Sequence, residues 1–205
     1  MELSNIGSDL FGPTESRVLA ALARLADPVS GRQLTKLAGV DSNASVQRYL
    51  AKLRGMGLVL ATETPSAIFY RLNREHVYWQ PIEDILASSA RIDAAIICLV
   101  QDRLGADARV AVFGSVAAGT AGAESDYDVL LVVDDSVPSA LRTDAAAALA
   151  DLVERLTGNE CQVVDVSETE LRDLVAHESP LAREWQKHTR PIDGRGRILQ
   201  LQSNA

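Results

Sequence analysis

Asp126 and Asp128 stand two residues apart at the head of an apolar run, Val129-Leu130-Leu131-Val132-Val133. In an extended strand that spacing puts both carboxylates on one face and turns Tyr127 the other way. Two carboxylates forced together repel. A Mg²⁺ ion, held through oxygen ligands at about 2.0–2.1 Å, relieves that repulsion. Upstream, Arg109-Val110-Ala111-Val112-Phe113 reads as a short strand running straight into Gly114-Ser115 and then small residues. Glycine permits close backbone approach, and a serine with the N–H groups after it can hold a phosphate where a helix starts. A phosphate grip beside a divalent-metal clamp suits phosphoryl or nucleotidyl transfer.

The stretch from Gly114-Ser115 through Ala121-Gly122-Ala123-Glu124-Ser125-Asp126-Tyr127-Asp128-Val129-Leu130 resembles the signature of the polymerase-beta-type nucleotidyltransferase superfamily. Within it the match is to the small minimal nucleotidyltransferases of prokaryotes, relatives of antibiotic-modifying and toxin-antitoxin enzymes. The resemblance covers about residues 92–177. It rests on Gly-Ser, the 10-residue step from Ser115 to Ser125, Ser-Asp-x-Asp and the trailing apolar strand. It implies an α/β domain with a small mixed sheet flanked by helices. It implies Gly114, Ser115 and Ser125 as nucleotide contacts, Mg²⁺ on Asp126 and Asp128, and ATP or another NTP as donor. It further implies a third carboxylate on a neighbouring strand.

Ala145 to Leu156 reads as a helix stopped by Thr157-Gly158-Asn159-Glu160, and Cys161 to Val166 reads as the following strand. Asp165 ends the apolar part of that strand. By the resemblance it completes the catalytic and metal set with Asp126 and Asp128 and acts as base toward an acceptor hydroxyl on a protein or a nucleic acid such as tRNA. Its plainer alternative is a solvent-facing aspartate ending a strand. One departure stands out. Many relatives carry an arginine after Gly-Ser, whereas Val116 to Ala123 contains no positive charge. Triphosphate binding would then lean on backbone N–H groups, metal and residues from elsewhere. Glu124 reads as a turn residue and Asp134-Asp135 as a solvated strand end.

The N-terminal part reads as three helices and a hairpin. Pro13 to Leu25 has Thr14 as a cap and an apolar stripe of Val18, Leu19, Leu22, Leu25 and Ala26. Ser30 caps a short helix over 31–38 with Leu34 and Leu37 inward, and Gly39 stops it. The third helix runs from Ser42 or Asn43 to Met56. Strands at 58–61 and 68–72 flank the turn Thr64-Pro65-Ser66. The pattern over about residues 12–75 resembles a winged helix-turn-helix. The third helix carries no acid and offers Ser42, Asn43, Ser45, Gln47, Arg48, Lys52 and Arg54 to double-stranded DNA, with Arg71 and Arg74 near the wing. Protein contact or dimerisation is the alternative use of such a fold.

Charge separates the parts. Residues 1–75 hold nine Lys/Arg and seven Asp/Glu, and the remaining residues carry the acidity of a chain whose net charge is -8. With 205 residues and 47% apolar content, the chain suits an α+β protein of a winged helix-turn-helix (1–75), a linking helix region (76–91), a nucleotidyltransferase domain (92–179) and a C-terminal helix and tail (180–205). Pro81 to Leu104 has a helical pattern. Arg183, Lys187, Arg190, Arg195 and Arg197 read as solvating a terminal helix and an irregular tail. Cys98 and Cys161 read as core residues, and His76, His177 and His188 lack ligand spacing. Without a signal peptide or an 18-residue apolar run, the expectation is a cytoplasmic protein with no membrane contact. The reading is a Mg²⁺-dependent nucleotidyltransferase that binds DNA and, as a relative of toxin-antitoxin enzymes, takes a helical partner protein. The alternative is a DNA-binding regulator whose transferase domain senses nucleotide or is inactive.

Overall fold

The structure, a computed structural model, describes residues 1–196 and 198 and divides into two compact units. The first holds Glu2 and Ser4–Ser88; the second holds Met1, Leu3 and the described residues from Ser89 onward.

The first unit runs α1 (Ser8–Phe11), α2 (Pro13–Ala23), β1 (Val29–Ser30), α3 (Gly31–Leu37), α4 (Asn43–Gly55), β2 (Val59–Glu63), β3 (Ile68–Leu72) and α5 (Trp79–Leu86). Gly12, not Thr14, caps α2, with Pro13 in the first helical position, where a missing N–H costs nothing. Ser30 forms a capping box with Gln33, and the Ser42 side chain accepts the Ser45 N–H at the start of α4. Leu34 is buried, but Leu37 is exposed. The inward stripe of α3 takes Gly31, Leu34, Thr35 and Ala38, so Thr35 occupies the core position expected of Leu37. Val29 and Ser30 pair with Tyr70 and Phe69, giving an antiparallel sheet of order β1-β3-β2. Val18, Leu19, Leu22, Leu34, Val46 and Leu50 form the centre of this unit's core. His76 closes its far end: Nε2 donates to the Met56 carbonyl and Nδ1 accepts the Tyr78 N–H.

The single helix expected over 81–104 is interrupted at Ala87, and α6 spans Ser88–Leu104. Ser88 Oγ donates to the Asp84 carbonyl, the local competition with helical hydrogen bonding that serine brings.

The second unit continues with β4 (Arg109–Phe113), α7 (Gly114–Ala118), β5 (Tyr127–Val133), α8 (Ser139–Thr157), β6 (Cys161–Ser167), α9 (Glu168–Ala176), α10 (Pro180–Lys187) and β7 (Thr189–Pro191). The sheet order is β6-β5-β4-β7; β5 and β6 are parallel, and β4 is antiparallel to β5 and β7. This is the small mixed sheet flanked by helices that the sequence implies. β5 is covered on both faces, which explains its unbroken apolar run after Asp128. On one face, Ile96 and Val100 of α6 and Leu149 and Val153 of α8 pack on Val112, Val129 and Leu131. On the other, Leu171 of α9 and Ala182 and Trp185 of α10 pack on Phe113, Leu130 and Val132.

The C-terminal arginines Arg183, Arg190 and Arg195 are exposed, as expected, and also make surface contacts. Arg190 makes a two-pronged contact with Asp93, Arg183 meets Glu178, and Arg195 donates to the carbonyls of Ala106 and Asp107. Arg109 pairs with the buried Asp193 carboxylate at 2.6 Å. Arg197 lies outside the described residues. No helix among the described residues is long and apolar enough to cross a membrane.

Candidate active site

Phe113, the last residue of β4, pairs with Asp128 on β5. The chain then turns into α7 at Gly114, whose φ of 63° is the left-handed conformation that glycine alone adopts freely. A Cβ at this position would run into the Asp128 carboxylate. Gly114 thus combines a backbone requirement with a steric one, and both serve Asp128. Ser115 follows, and its carbonyl accepts the N–H groups of Thr120 and Ala121, folding the small-residue loop back on itself.

Asp126 lies just ahead of β5 rather than within it, so a loop sets its place. Ser125 Oγ accepts the Gly122 N–H at 2.9 Å. The side chain expected to touch nucleotide therefore builds the loop. Asn159, only 4% exposed, donates its amide to the carbonyls of Ala123 and Ser125 at 2.9 and 3.0 Å. By sequence, Asn159 is only part of a helix stop; an asparagine shortly after a helix end is the one signal that marks it. Asn159→Ala would leave these carbonyls without their donor and is expected to cost about 1–3 kcal/mol, measured by urea denaturation. Asn159→Asp, which has no donor when ionised, is expected to cost at least as much.

The Asp128 carboxyl is pushed up to about 6, first by burial, then by the charge of Asp126 and that of Glu184 on α10. A cation at the pair would relieve both carboxylates. The donors are hard oxygens, which suits Mg²⁺, and glycine at 114 leaves the approach open. Among the described residues no three His, Cys, Asp or Glu side chains converge on a metal position. Further ligands would have to be phosphate oxygens and water, as is usual for Mg²⁺.

Asp165 does not join the pair. The parallel register sets it opposite Leu131, three residues along β6 from Gln162, which is the residue opposite Asp128. Because successive side chains alternate, Asp165 shares the face of Leu131 and α8, and Asp128 the face of Leu130 and α10. Asp165 is held by Arg142 of α8 at 2.9 Å, and Arg142 also meets Glu170 at 3.0 Å. The expectation of a third catalytic and metal-binding aspartate at 165 is therefore corrected. The residue beside the pair is Gln162, whose amide donates to Asp126 at 2.8 Å.

Other groups fall into structural places. Asp134 accepts from Ser136, which holds its carboxyl below the usual range, and Asp135 is held low first by the Ser167 hydroxyl and then by the hydrogen bonds it accepts from Thr169 at the start of α9. Burial pushes the Cys161 thiol up to about 12, so it is inert, whereas Cys98 is exposed rather than in the core.

On α4 of the first unit, Ser45 and Arg48 join through a hydrogen bond at 3.2 Å, and Arg48 and Lys52 are exposed. Ser42 caps the helix. Asn43 accepts from Thr35, and Gln47 packs beneath Gly31 and accepts from the Tyr70 hydroxyl. Both therefore brace α3 against α4 and β3. Arg54 pairs with Glu63 on β2 at 3.0 Å. Arg74 stays exposed, pairs with Glu83, donates to the Ala23 carbonyl and lies over the Trp79 ring.

The second unit is thus a mixed sheet with a Gly-Ser turn after β4 and a carboxylate pair at the head of β5. Residues 96–192 match the family model described as a nucleotidyltransferase domain. No curated protein matches the sequence. Three solved structures show partial likeness. A toxin-antitoxin structure with AMP-PNP is 22% identical, over 49% of this chain and 71% of that one, with a TM-score of 0.37. Pseudomonas aeruginosa HmgR is 27% identical, over 60% of this chain and 47% of that one, with a TM-score of 0.25. TrmBL2, an archaeal chromatin protein, is 14% identical, over 80% and 69%, with a TM-score of 0.27.

Proposed function

We propose that the second unit binds ATP or another NTP with Mg²⁺ at Asp126 and Asp128 and transfers the nucleoside monophosphate to an acceptor hydroxyl on a protein or nucleic acid. The observation that carries the reading is the approach of Gly114 to Asp128, with Asp126 beside it and Asp128 short of positive charge. Ser115 and the N–H groups after it would receive phosphate oxygens, and Asp126 and Asp128 would hold the ion. When bound, Mg²⁺ would offset the negative charge that develops as pyrophosphate leaves. Incubating the protein with α-labelled ATP, Mg²⁺ and a cell extract tests this; a labelled macromolecule is expected, and its absence alongside intact nucleotide binding would favour the second reading.

That second reading is a DNA-binding regulator whose transferase domain senses nucleotide. Gln162 favours it, because a neutral amide beside the carboxylate pair cannot act as a base toward an acceptor hydroxyl.

Under either reading the first unit is a winged helix-turn-helix that binds duplex DNA. The order of α2, β1, α3, α4 and the β2–β3 hairpin supports this, as does the α4 edge of half-buried Ser45 and exposed Arg48 and Lys52. Arg48→Ala with Lys52→Ala is expected to weaken duplex binding and flatten the salt dependence by roughly one logarithmic unit for each phosphate that is no longer neutralised. Fluorescence anisotropy across a salt series reads both effects. An unchanged slope would remove α4 as the DNA-reading element.

A further inference from the structure

We infer that Gln162 is a positioning residue for the carboxylate pair: it fixes Asp126 beside Asp128 through its amide while adding no charge to the site. The inference rests on the metal-binding role proposed for the pair.

Asp126 precedes β5, so no strand pairing holds it. Gln162 lies on the edge strand β6 directly opposite Asp128, and the parallel register sends both side chains to the same face. Its Nε2 stands 2.8 Å from Asp126 Oδ2. A carboxylate only accepts, so the nitrogen must be the donor, and a hydrogen bond to an ionised group is of the stronger kind. Among the described residues this is the one side-chain hydrogen bond of Asp126.

The residue type matters. A lysine or arginine at 162 would neutralise Asp126 and compete with a cation. A glutamate would add a third negative charge beside the two carboxylates and offer no donor to Asp126 when ionised. Glutamine does neither: it orients one oxygen of Asp126 and leaves the other, with Asp128, for the ion. Hydrogen-bond partners that orient metal-binding side chains change metal affinity by about 10- to 100-fold when removed.

The test uses the full chain and Mn²⁺ as probe, with free Mn²⁺ followed by electron paramagnetic resonance, with and without a non-hydrolysable ATP analogue. Gln162→Met keeps the length of the side chain and loses the donor. It is expected to weaken Mn²⁺ binding at least about 10-fold, with an unchanged melting temperature, because Gln162 is exposed on an edge strand. In an Asp126→Ala background the same change is expected to do nothing, because Gln162 acts through Asp126. Wild-type affinity in Gln162→Met, or a further loss in the Asp126→Ala background, overturns the inference. Asp126→Ala with Asp128→Ala separates the two levels. If that variant loses Mn²⁺ while Gln162→Met keeps it, only the positioning role falls. If it binds Mn²⁺ as wild type does, or if wild type shows no saturable binding, the reading of the pair itself falls.

Discussion

Asp126→Asn with Asp128→Asn is expected to lower the affinity for Mn²⁺ with ATP by on the order of 100-fold or more, measured by calorimetry. Each carboxylate charge removed from beside a divalent ion takes away several kcal/mol of attraction at about 4 Å and an effective dielectric of about 20, which far exceeds what two decades of affinity require. The same variant is expected to melt at a higher temperature than wild type at pH 7.5 without metal. Burial and mutual repulsion disfavour ionised Asp128, and asparagine removes that penalty. Loss of binding with gain of stability distinguishes a site variant from a misfolded one. The pH dependence follows. Asp128 titrates near 6 when folded, above the ordinary aspartate value, so ion-free stability falls as pH rises from about 4 to about 6. A cation needs the ionised form. The rise in melting temperature on adding Mn²⁺ and ATP is therefore expected to be small at pH 5 and to grow through pH 6 toward its full size at 7.5. A shift of equal size at both pH values would separate Asp128 from ion binding.

The second large effect is expected at Gly114. Gly114→Ala meets two penalties at once: a left-handed backbone conformation, worth about 1–2 kcal/mol against a residue with a Cβ, and a clash with the Asp128 carboxylate. Relief of the clash requires Asp128 to swing aside, so Mn²⁺ binding is expected to fail while most of the fold survives. Gly119→Ala provides the comparison. It shares a left-handed conformation, but a Cβ there meets nothing. It is expected to lose stability and keep Mn²⁺ binding. If both alanine variants retain binding, the closeness of Gly114 to Asp128 has no functional weight.

The parts of the site written in adjacent residues were legible. Gly114-Ser115, the small-residue loop and the Asp126–Asp128 spacing are local, and the two strands around them are apolar runs with clear ends. What failed was the partner across the sheet. Asp165 and Gln162 both lie on β6, and only the register against β5 decides which one faces Asp128. Nothing local to the run Cys161-Gln162-Val163-Val164-Asp165-Val166 fixes that phase, and strand side chains change face at every residue. Asn159 escaped for the same reason: its partners lie 34 and 36 residues away. β1, with two residues, is too short to show alternation. On α4, the polar residues stand out in the sequence but their division does not. Asn43 and Gln47 look like Ser45 and Arg48 until α3 and β3 are packed beside them.

The pairing of β4 with β7 also dictates an order of events at the ribosome. Glu2 and Ser4–Ser88 are all made before Ser89 appears, so the first unit can fold while the rest is being synthesised. β4 cannot. Ala111 meets Leu130 on one side, but on its other side it finds a partner only in Pro191, about 80 residues later. At a synthesis rate of roughly 5–20 residues per second, β4 waits several seconds with one edge unpaired. Val110, Ala111, Val112 and Phe113 are all buried in the finished protein, so an apolar strand edge is open during that interval, the kind that invites pairing with other chains. Fragments released before residue 189 are expected to aggregate through this edge, and soluble expression of the second unit depends on β7 reaching it.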